Sequence, residues 1–293
     1  MKKSLTVLAL AAAFAAPAFA QTTAPAAAPA AAAEPASPHT FTGNMALVTD
    51  YRFRGISQTN KQPAIQGGFD YSHSSGIYLG NWNSNVSSGA GFPEGNLEMD
   101  FYGGWKKTWG DFGIDLGALY YYYPGSRGGA IGQSVRGKPI DNKEIYIGAS
   151  WKFLSAKYYY AVDDYFGLKG VDRNSVVTNK KTSGSSYFDL SASYDLGNGW
   201  GINGHVGLLN LRNVHNGDYT DWKLGVTKDI SGWVLGVAYV GTNAHGKCSG
   251  AATYQPYCFA KTNSIDGTGA VVLGGALKDA GKDTLVLSVS KSF

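Results

Sequence analysis

The sequence lacks any long apolar run beyond its N-terminal twenty residues, and this excludes one class of membrane protein. A membrane-spanning helix needs about 18 consecutive apolar residues, and no such run follows position 20. Excess charge is also small: the formal net charge is +4, and Lys2 and Lys3 contribute half of it. Nucleic-acid-binding proteins carry a larger and clustered basic excess. We therefore exclude a helical membrane protein and expect no nucleic-acid partner.

The N-terminal residues predict export from the cytoplasm. Lys2 and Lys3 precede a mostly apolar run at 5–16, and Ala18-Phe19-Ala20 places small residues at a cleavage point. This is the pattern of a secretory signal peptide, here residues 1–20. Residues 21–40 are mostly Ala, Pro and Thr, a composition that favours a flexible periplasmic leader. The remaining residues, 41–293, are expected to form the folded domain.

Cysteine is scarce, and its two positions predict a disulfide. Cys248 and Cys258 lie in one segment rich in Gly, Ala and Thr, in a chain expected to reach an oxidising compartment. No cysteine follows the expected cleavage point directly, so a lipid anchor is not expected. A zinc site that includes His245 would have too few ligands, because structural zinc takes four. We expect a bridge across a short loop, no metal site and no cofactor.

Alternation of apolar and polar residues predicts strands along most of the chain. In residues 283–293, Leu285, Leu287, Val289 and Phe293 share one parity, which gives a strand with one apolar and one mostly polar face. A strand that ends on an aromatic residue is typical of the C-terminal strand that the outer-membrane barrel-assembly machinery recognises. The same pattern predicts an all-β fold, a transmembrane antiparallel up-and-down β-barrel. We predict twelve strands, at about 43–53, 63–72, 76–85, 96–107, 111–123, 143–154, 155–162, 185–196, 199–210, 218–230, 232–242 and 283–293.

The connections between these strands sort by length. Those after even-numbered strands are tight, such as Gly197-Asn198 and Ser231-Gly232, whereas 124–142, 163–184 and 243–282 are long. Bacterial outer-membrane barrels have short periplasmic turns and long external loops. The pattern therefore predicts both the fold and its orientation.

Charged residues fall on the strand parity opposite the apolar residues, so we expect them to face a wet lumen. The candidate lumen-lining residues are Asp50, Arg52, Arg54, Asp70, Glu98, Asp100, Asp115, Lys152, Lys157, Asp189 and Lys223.

Three of these candidates leave two interpretations open. Asp50, Arg52 and Arg54 are spaced by two residues on the inner face of the first predicted strand. Their charges could line a conducting path. Alternatively, they could form an internal salt-bridge network with Asp70 on the next strand and fill a narrow lumen.

Two tyrosine runs, at 120–123 and 158–160, lie near the external ends of predicted strands. Half of each run must face lipid, which favours an interfacial aromatic girdle over a surface that binds sugars. Tyr121, Tyr123 and Tyr159 have the inward parity and could contact a solute.

Two motifs that suggest other functions do not fit their context. Residues 199–204 match G-x-G-x-x-G, but they continue a strand pattern and precede no helix that could bind a pyrophosphate. An enzyme of the outer membrane would need a serine and a histidine in contact, with a third group that orients the base. Of five histidines only His205 has a lumen-facing strand position. We therefore predict that the protein is not an enzyme.

The first two predicted hairpins carry a more specific match. The strings GNMALVTDYRFRGISQT (43–59), PAIQGGFDYSHSSGIYLGNW (63–82) and NSNV (83–86) resemble the opening of the TorF-type putative porins, proteobacterial outer-membrane proteins. This resemblance implies a small β-barrel with a pore. It supplies no substrate and no functional residues.

The sequence thus favours a porin-like channel for passive diffusion of small solutes through a narrow charged lumen, in the outer membrane of a Gram-negative bacterium. The expected partners are outer-membrane lipid, small solutes and the barrel-assembly machinery acting on Phe293. The main alternative is a non-conducting structural or adhesive barrel. An outer-membrane enzyme is a weaker alternative. Twelve strands lie between the filled eight-stranded barrels and the open channels of sixteen or more, so size alone does not decide between them.

Overall fold

The computed structural model describes residues 37–128, 139–267 and 271–293. Twelve strands form one closed antiparallel barrel. They are β1 (His39–Val48), β2 (Ala64–His73), β3 (Ile77–Asn85), β4 (Leu97–Trp109), β5 (Phe112–Arg127), β6 (Pro139–Trp151), β7 (Leu154–Ala161), β8 (Ser186–Gly197), β9 (Trp200–Asn210), β10 (Tyr219–Ile230), β11 (Trp233–Thr242) and β12 (Thr284–Ser292). The predicted fold class is confirmed.

The barrel closes between its first and last strands. β1 pairs with β12 from Asn44 opposite Ser292 to Val48 opposite Ser288. Beyond the last strand, the backbone N–H of Gly43 donates to the carbonyl of Phe293 (2.7 Å), and the N–H of Phe293 donates to Gly43 (3.0 Å). Because every strand then has two neighbours, the backbone polar groups of the wall are paired all round.

The barrel has two unlike ends, which we call the turn end and the loop end. At the turn end, neighbouring strands are joined by two or three residues, for example Asn198 and Gly199, which both have positive φ. At the loop end, the longer connections contain small hairpins and 3₁₀ turns. These pair Arg52–Phe53 with Ile56–Ser57, Lys169–Val171 with Val177–Lys181, Cys258–Phe259 with Lys278–Asp279 and Thr262–Ile265 with Val271–Gly274, and include Ser88–Ala90 and Tyr165–Gly167.

The predicted limits of three strands are wrong. β1 ends at Val48 rather than near position 53, because the chain turns into the barrel after Thr49. β5 continues to Arg127, and β6 begins earlier, at Pro139, which pairs with Arg127 across an irregular register. β6 also ends at Trp151, because Lys152 has φ of 54° and begins the turn to β7.

Apolar side chains cover the outer face of the barrel. Phe69 is 72% exposed and Ile147 is 56% exposed, and the same parity continues along each strand. In the third strand, Ile77 and Leu79 compete with Tyr78 and Trp82 for the outer face, so alternation alone does not decide its facing. In the structure Leu79 lies outside, whereas Tyr78 and Trp82 are buried inside. Large aromatic side chains collect at the turn end, at Trp109, Phe112, Trp151, Phe153, Trp200 and Trp233.

The interior is filled by side chains at the loop end. Tyr121 and Tyr123 face inward, as expected, and pack in a buried cluster with Tyr51 and Trp82. Tyr158 and Tyr160 lie outside. Within residues 37–128, 139–267 and 271–293 no helix is long and apolar enough to cross a membrane.

The predicted disulfide is present. Cys248 and Cys258 are bonded, with their Cα atoms 5.2 Å apart, in the long connection between β11 and β12. In the part of the chain that the structure describes, no three His, Cys, Asp or Glu side chains could together hold a metal ion.

Candidate functional site

The candidate site is built around residues 49–63, the connection between β1 and β2, which folds into the lumen. We call it the inward segment. Its two short strands pair Arg52 with Ser57 and Phe53 with Ile56. The two residues between them, Arg54 and Gly55, have φ of 47° and 78°. Positive φ at both central residues is the geometry of a type I′ hairpin turn, which suits the right-handed twist of paired strands.

Gly55 allows this turn to approach the barrel wall. A Cβ atom at Gly55 would lie 2.7 Å from Cβ of Asp221, closer than real Cβ contacts, and would also overlap Thr242. The hydroxyl of Tyr219 donates to the carbonyl oxygen of Arg54 at 2.9 Å. The tip of the inward segment is therefore packed and hydrogen-bonded against β10 and β11.

Arg54 crosses from this turn to the opposite wall. Its Nη1 and Nη2 donate to the two carboxylate oxygens of Glu144 on β6, at 2.9 and 2.7 Å. Nη1 also donates to the hydroxyl of Tyr165 at 3.1 Å. Paired parallel hydrogen bonds of this kind fix geometry and are stronger than neutral ones.

Aromatic rings surround the Arg54 guanidinium. Its central carbon lies 4.3 Å from the ring centre of Tyr187, 4.8 Å from Phe53 and 5.2 Å from Tyr159. These distances are within the range of cation–π attraction. The guanidinium is thus buried and compensated by one carboxylate and several ring faces.

Arg52 ties the inward segment to the chain that precedes β12. Its Nε donates to Asp50 at 2.7 Å, and its Nη1 donates to the carbonyl oxygens of Gly55 (2.9 Å) and Ala280 (3.0 Å). Asp50 also accepts a hydrogen bond from Ser57 at 2.6 Å. These contacts hold the segment on the side opposite Glu144.

Among the described residues, buried carboxylates outnumber buried cations in the loop half of the lumen. The buried charged side chains there are Asp50, Glu98, Asp100, Glu144 and Asp221 on the acidic side, and Arg52 and Arg54 on the basic side. Tyr51 donates to Glu98 at 3.0 Å. Glu98 Oε2 and Asp100 Oδ1 have no hydrogen-bond partner among the described residues. A cation that reached these two oxygens would meet acceptors that no described group occupies.

A layer of tyrosines lies nearer the turn end than the Arg54 side chain does. Tyr78, Tyr102 and Tyr146 stand directly opposite glycines on neighbouring strands, with register pairs Tyr78–Gly104, Tyr102–Gly80 and Tyr146–Gly117. A Cβ on Gly80 or Gly117 would overlap the tyrosine opposite. The absence of side chains at these glycines therefore lets the rings lie against the wall.

Hydrogen bonds join this tyrosine layer to charged groups. The Tyr78 hydroxyl donates to Asp115 at 2.6 Å, and Lys157 Nζ donates to the other Asp115 oxygen at 2.7 Å. The hydroxyls of Tyr78 and Tyr146 also contact each other. Tyr102 donates to Asp70 at 2.6 Å.

His205 lies on the lumen wall between two carboxylates. Its Nδ1 is 2.8 Å from Asp189 Oδ2, and its Nε2 is 3.3 Å from Asp221 Oδ1. Ser191, which pairs with His205 across the strands, donates to Asp189 rather than to the imidazole. The carboxylate thus separates hydroxyl from base, unlike the nucleophile–base contact needed for covalent catalysis.

Solvent exposure of the lumen wall changes along the barrel axis. At the loop end Tyr51, Glu98 and Asp221 are at most 1% exposed. Toward the turn end the inward-facing residues Lys106, Ser150, Ser155, Ser191, Asn203, Thr227 and Ser288 keep partial exposure. Among the described residues, the lumen is thus closed in the loop half and accessible toward the turn end.

The structure places most sequence-predicted site residues on the lumen face, with two corrections. Lys152 does not face the lumen; it lies in the turn after β6, with its amine 3.9 Å from Asp111. Asp50, Arg52 and Arg54 lie on the inward segment and not on β1, and no hydrogen bond or ion pair described here joins them to Asp70. The other candidates, on barrel strands, are Asp70, Glu98, Asp100, Asp115, Lys157, Asp189 and Lys223.

Sequence reasoning missed the residues that complete the Arg54 site. Glu144 has the parity opposite Ile145 and Ile147, so alternation could have identified it as an inward-facing residue. Tyr165 lies in a connection without strand periodicity, so no pattern identified it.

Asp164 holds Tyr165 in position at the loop end. Its Oδ1 accepts the backbone N–H of Thr182 at 2.8 Å and of Ser183 at 3.2 Å, and its other oxygen contacts the Lys169 amine. Partial burial raises the pKa of the Asp164 carboxyl, but these hydrogen bonds outweigh it and hold the pKa below the usual 3.8.

Similarity to solved structures is distant and extends along the barrel. The KdgM porin is 9% identical, with a TM-score of 0.47, over 86% of this chain and 99% of that chain. The NanC porin is 10% identical, with a TM-score of 0.46, over 87% and 99%. The P. putida toluene transporter TodX is 10% identical, with a TM-score of 0.41, over 88% and 91%. The fold assignment rests on the strand pairing described above.

No curated protein matches the sequence. A bacterial protein family matches residues 32–293, which include every strand of the barrel and the inward segment. The chain belongs to this family, which is described as "Bacterial protein of unknown function (Gcw_chp)".

Proposed function

We propose that the protein spans the outer membrane of a Gram-negative bacterium, with its turn end in the periplasm and its loop end outside. The apolar outer face supports this proposal, since Phe69 and Leu285 are 72% and 64% exposed and belong to a surface that continues round the barrel. Soluble monomers rarely expose apolar patches larger than a few hundred Å². The aromatic residues at the turn end fit a membrane interface.

Within that barrel, the proposed function is a restricted channel for small solutes. One observation carries the proposal: Arg54 of the inward segment bonds across the loop half of the lumen to Glu144. The inward segment is not part of the barrel wall. Its displacement would leave all strand pairing intact and connect the loop end to the accessible turn half. Once the inward segment is displaced and water reaches the lumen wall, the excess of carboxylates among the described residues favours cations over anions on this path.

The same contacts favour a second candidate function, a non-conducting structural barrel. Arg54 is bonded to Glu144 and Tyr165 and packed between rings, so its site is closed in the observed state. If the inward segment stays in the lumen at all times, no solute crosses the barrel. The external loops would then perform the function of the protein, as in a structural or adhesive barrel.

Swelling of liposomes that contain the purified protein tests the channel. We expect the smallest uncharged solutes to enter faster than into protein-free liposomes, and larger solutes to be excluded. Entry at the protein-free rate for every solute would contradict the channel and favour the structural barrel. A gel shift between unheated and boiled samples would check that the barrel is folded in both cases.

A further inference from the structure

A large cavity lies at the loop end, above the Arg54 site. The described residues line an open-sided volume of about 770 Å³. Five separate connections between strands contribute to its wall, with one apolar side chain from each in Phe53, Phe92, Phe166, Leu211 and Phe259. Pockets that bury most of a small ligand measure roughly 300–1,000 Å³. The cavity is therefore of ligand size, and no single loop creates it.

The lining is apolar, and its polar groups are few. Lys247 is the one charged residue among the described residues of the wall. Two lining tyrosines have their hydroxyls engaged elsewhere: Tyr257 donates to the carbonyl of Gly217, and Tyr165 accepts from Arg54. These tyrosines thus present mainly their rings to the cavity. Arg54 itself is not part of the wall.

We propose that this cavity binds an uncharged, predominantly apolar small molecule at the outer mouth of the barrel. A charged ligand would lose its hydration against this wall with little compensation. An apolar one would replace ordered water against aromatic and aliphatic surface. Ligand binding in this cavity does not require that the lumen conduct solutes. The proposal therefore goes beyond the channel function and is tested independently of it.

Covalent and hydrogen-bonded contacts preform the cavity. Cys248 and Cys258 both line it, and their disulfide closes the segment between them. Ser57 donates from its backbone to Ala280 at 2.9 Å, which joins the floor beside Ile56 to the chain before β12. Preformed pockets lose less free energy in ordering when a ligand binds.

Two neighbouring alanines provide a matched test of the site. Ala251 lines the cavity and is exposed, so a tryptophan there would occupy the cavity without displacing buried core. Ala252 is also exposed but does not line the cavity. Ala251→Trp is thus the blocking variant, and Ala252→Trp is its control.

The experiment measures N-phenyl-1-naphthylamine, an uncharged probe, by equilibrium dialysis against the full protein held in amphipol, with empty amphipol as blank. We expect saturable binding of one probe per chain, at least tenfold weaker in Ala251→Trp and within twofold of wild type in Ala252→Trp. The anionic 1-anilinonaphthalene-8-sulfonate, which has comparable rings, should bind at least tenfold more weakly. Absence of saturable binding, equal binding by the two tryptophan variants, or equal affinity for the anionic probe would overturn the proposal.

Discussion

The guanidinium of Arg54 and the carboxylate of Glu144 meet inside the barrel in two hydrogen bonds of 2.9 and 2.7 Å. One group comes from a connection at the start of the chain and the other from a strand ninety residues later. Because both side chains are at most 5% exposed, water compensates neither charge. Their contact links the inward segment to the wall.

Loss of Glu144 should destabilise the protein. Glu144→Gln leaves the buried Arg54 charge without its counter-ion, and removal of one partner from a buried pair typically costs about 3–5 kcal/mol. Asp163→Asn is the matched control, because Asp163 pairs with Lys143 at 3.4 Å on the surface and such pairs are worth about 1 kcal/mol or less. Thermal unfolding in detergent measures both. Equal midpoints would mean that the Arg54 charge is compensated by other groups.

The turn at Gly55 should tolerate no side chain. Gly55→Ala combines a positive φ, which costs a non-glycine residue about 1–2 kcal/mol, with overlap at Asp221. Gly232→Ala has a similar φ of 82°, but a Cβ there meets no atom within 4 Å. We expect Gly55→Ala to be the less stable of the two variants and to increase solute entry into liposomes. Equal stability would show that the inward segment adapts at its tip.

The disulfide should be present in protein isolated from cells. Mass mapping of a non-reduced digest is expected to find the Cys248 and Cys258 peptides joined. Because the bridge closes part of the cavity wall, reduction should weaken binding of the uncharged probe. Recovery of both residues as free thiols would contradict the presence of the disulfide.

The orientation in the membrane can be tested by surface labelling. An epitope tag at Asn174, an exposed residue of a loop-end hairpin, should be accessible on intact cells. A tag at Asn198, in a turn between β8 and β9, should be accessible after the outer membrane is opened. Labelling of the tag at Asn198 on intact cells would show that the turn end lies outside, opposite to the proposed orientation.

The lowered pKa of Asp164 should make the stability of the loop end depend on pH. Its folded pKa lies below 3.8, so its ionised form stabilises the fold above that pH, and the contribution is lost as the pH falls through the lowered folded pKa. At neutral pH, Asp164→Asn should increase amide hydrogen exchange at Thr182. Below the folded pKa, wild type and variant should exchange alike. A difference that persists at the lowest pH would mean that the carboxylate charge is not responsible.

Alternation of apolar and polar residues was sufficient to predict the barrel wall. Successive side chains of a strand point alternately to lipid and to the lumen, so the direction of each one follows from local sequence alone. The inward parity predicted for Tyr121 and Tyr123 was right, and the same alternation with Ile145 and Ile147 would also have identified Glu144, which the prediction omitted. The same pattern misplaced Lys152, since alternation continues into a turn that a positive φ at Lys152 starts.

The inward segment could not be predicted because the residues that hold it are distant in sequence. Residues 49–54 alternate as a strand would, so local pattern extends β1 through them. The inward turn is held by the hydrogen bonds from Arg54 to Glu144 and from Arg52 to the carbonyl oxygen of Ala280, which is 228 residues away in sequence. The cavity is also beyond local pattern, since five connections supply its wall.

Single-channel current in a planar bilayer tests the restricted channel most directly. Val48 lies opposite Ala64 in the β1–β2 pair, so a short Gly/Ser linker can replace residues 50–62 without altering the barrel wall. A matched control replaces residues 172–176, in the loop-end hairpin between β7 and β8, with the same linker. We predict a small cation-selective current in wild type and control, and a conductance at least several-fold larger without the inward segment. Equal conductance in all three proteins, or no current in any of them, would contradict the account.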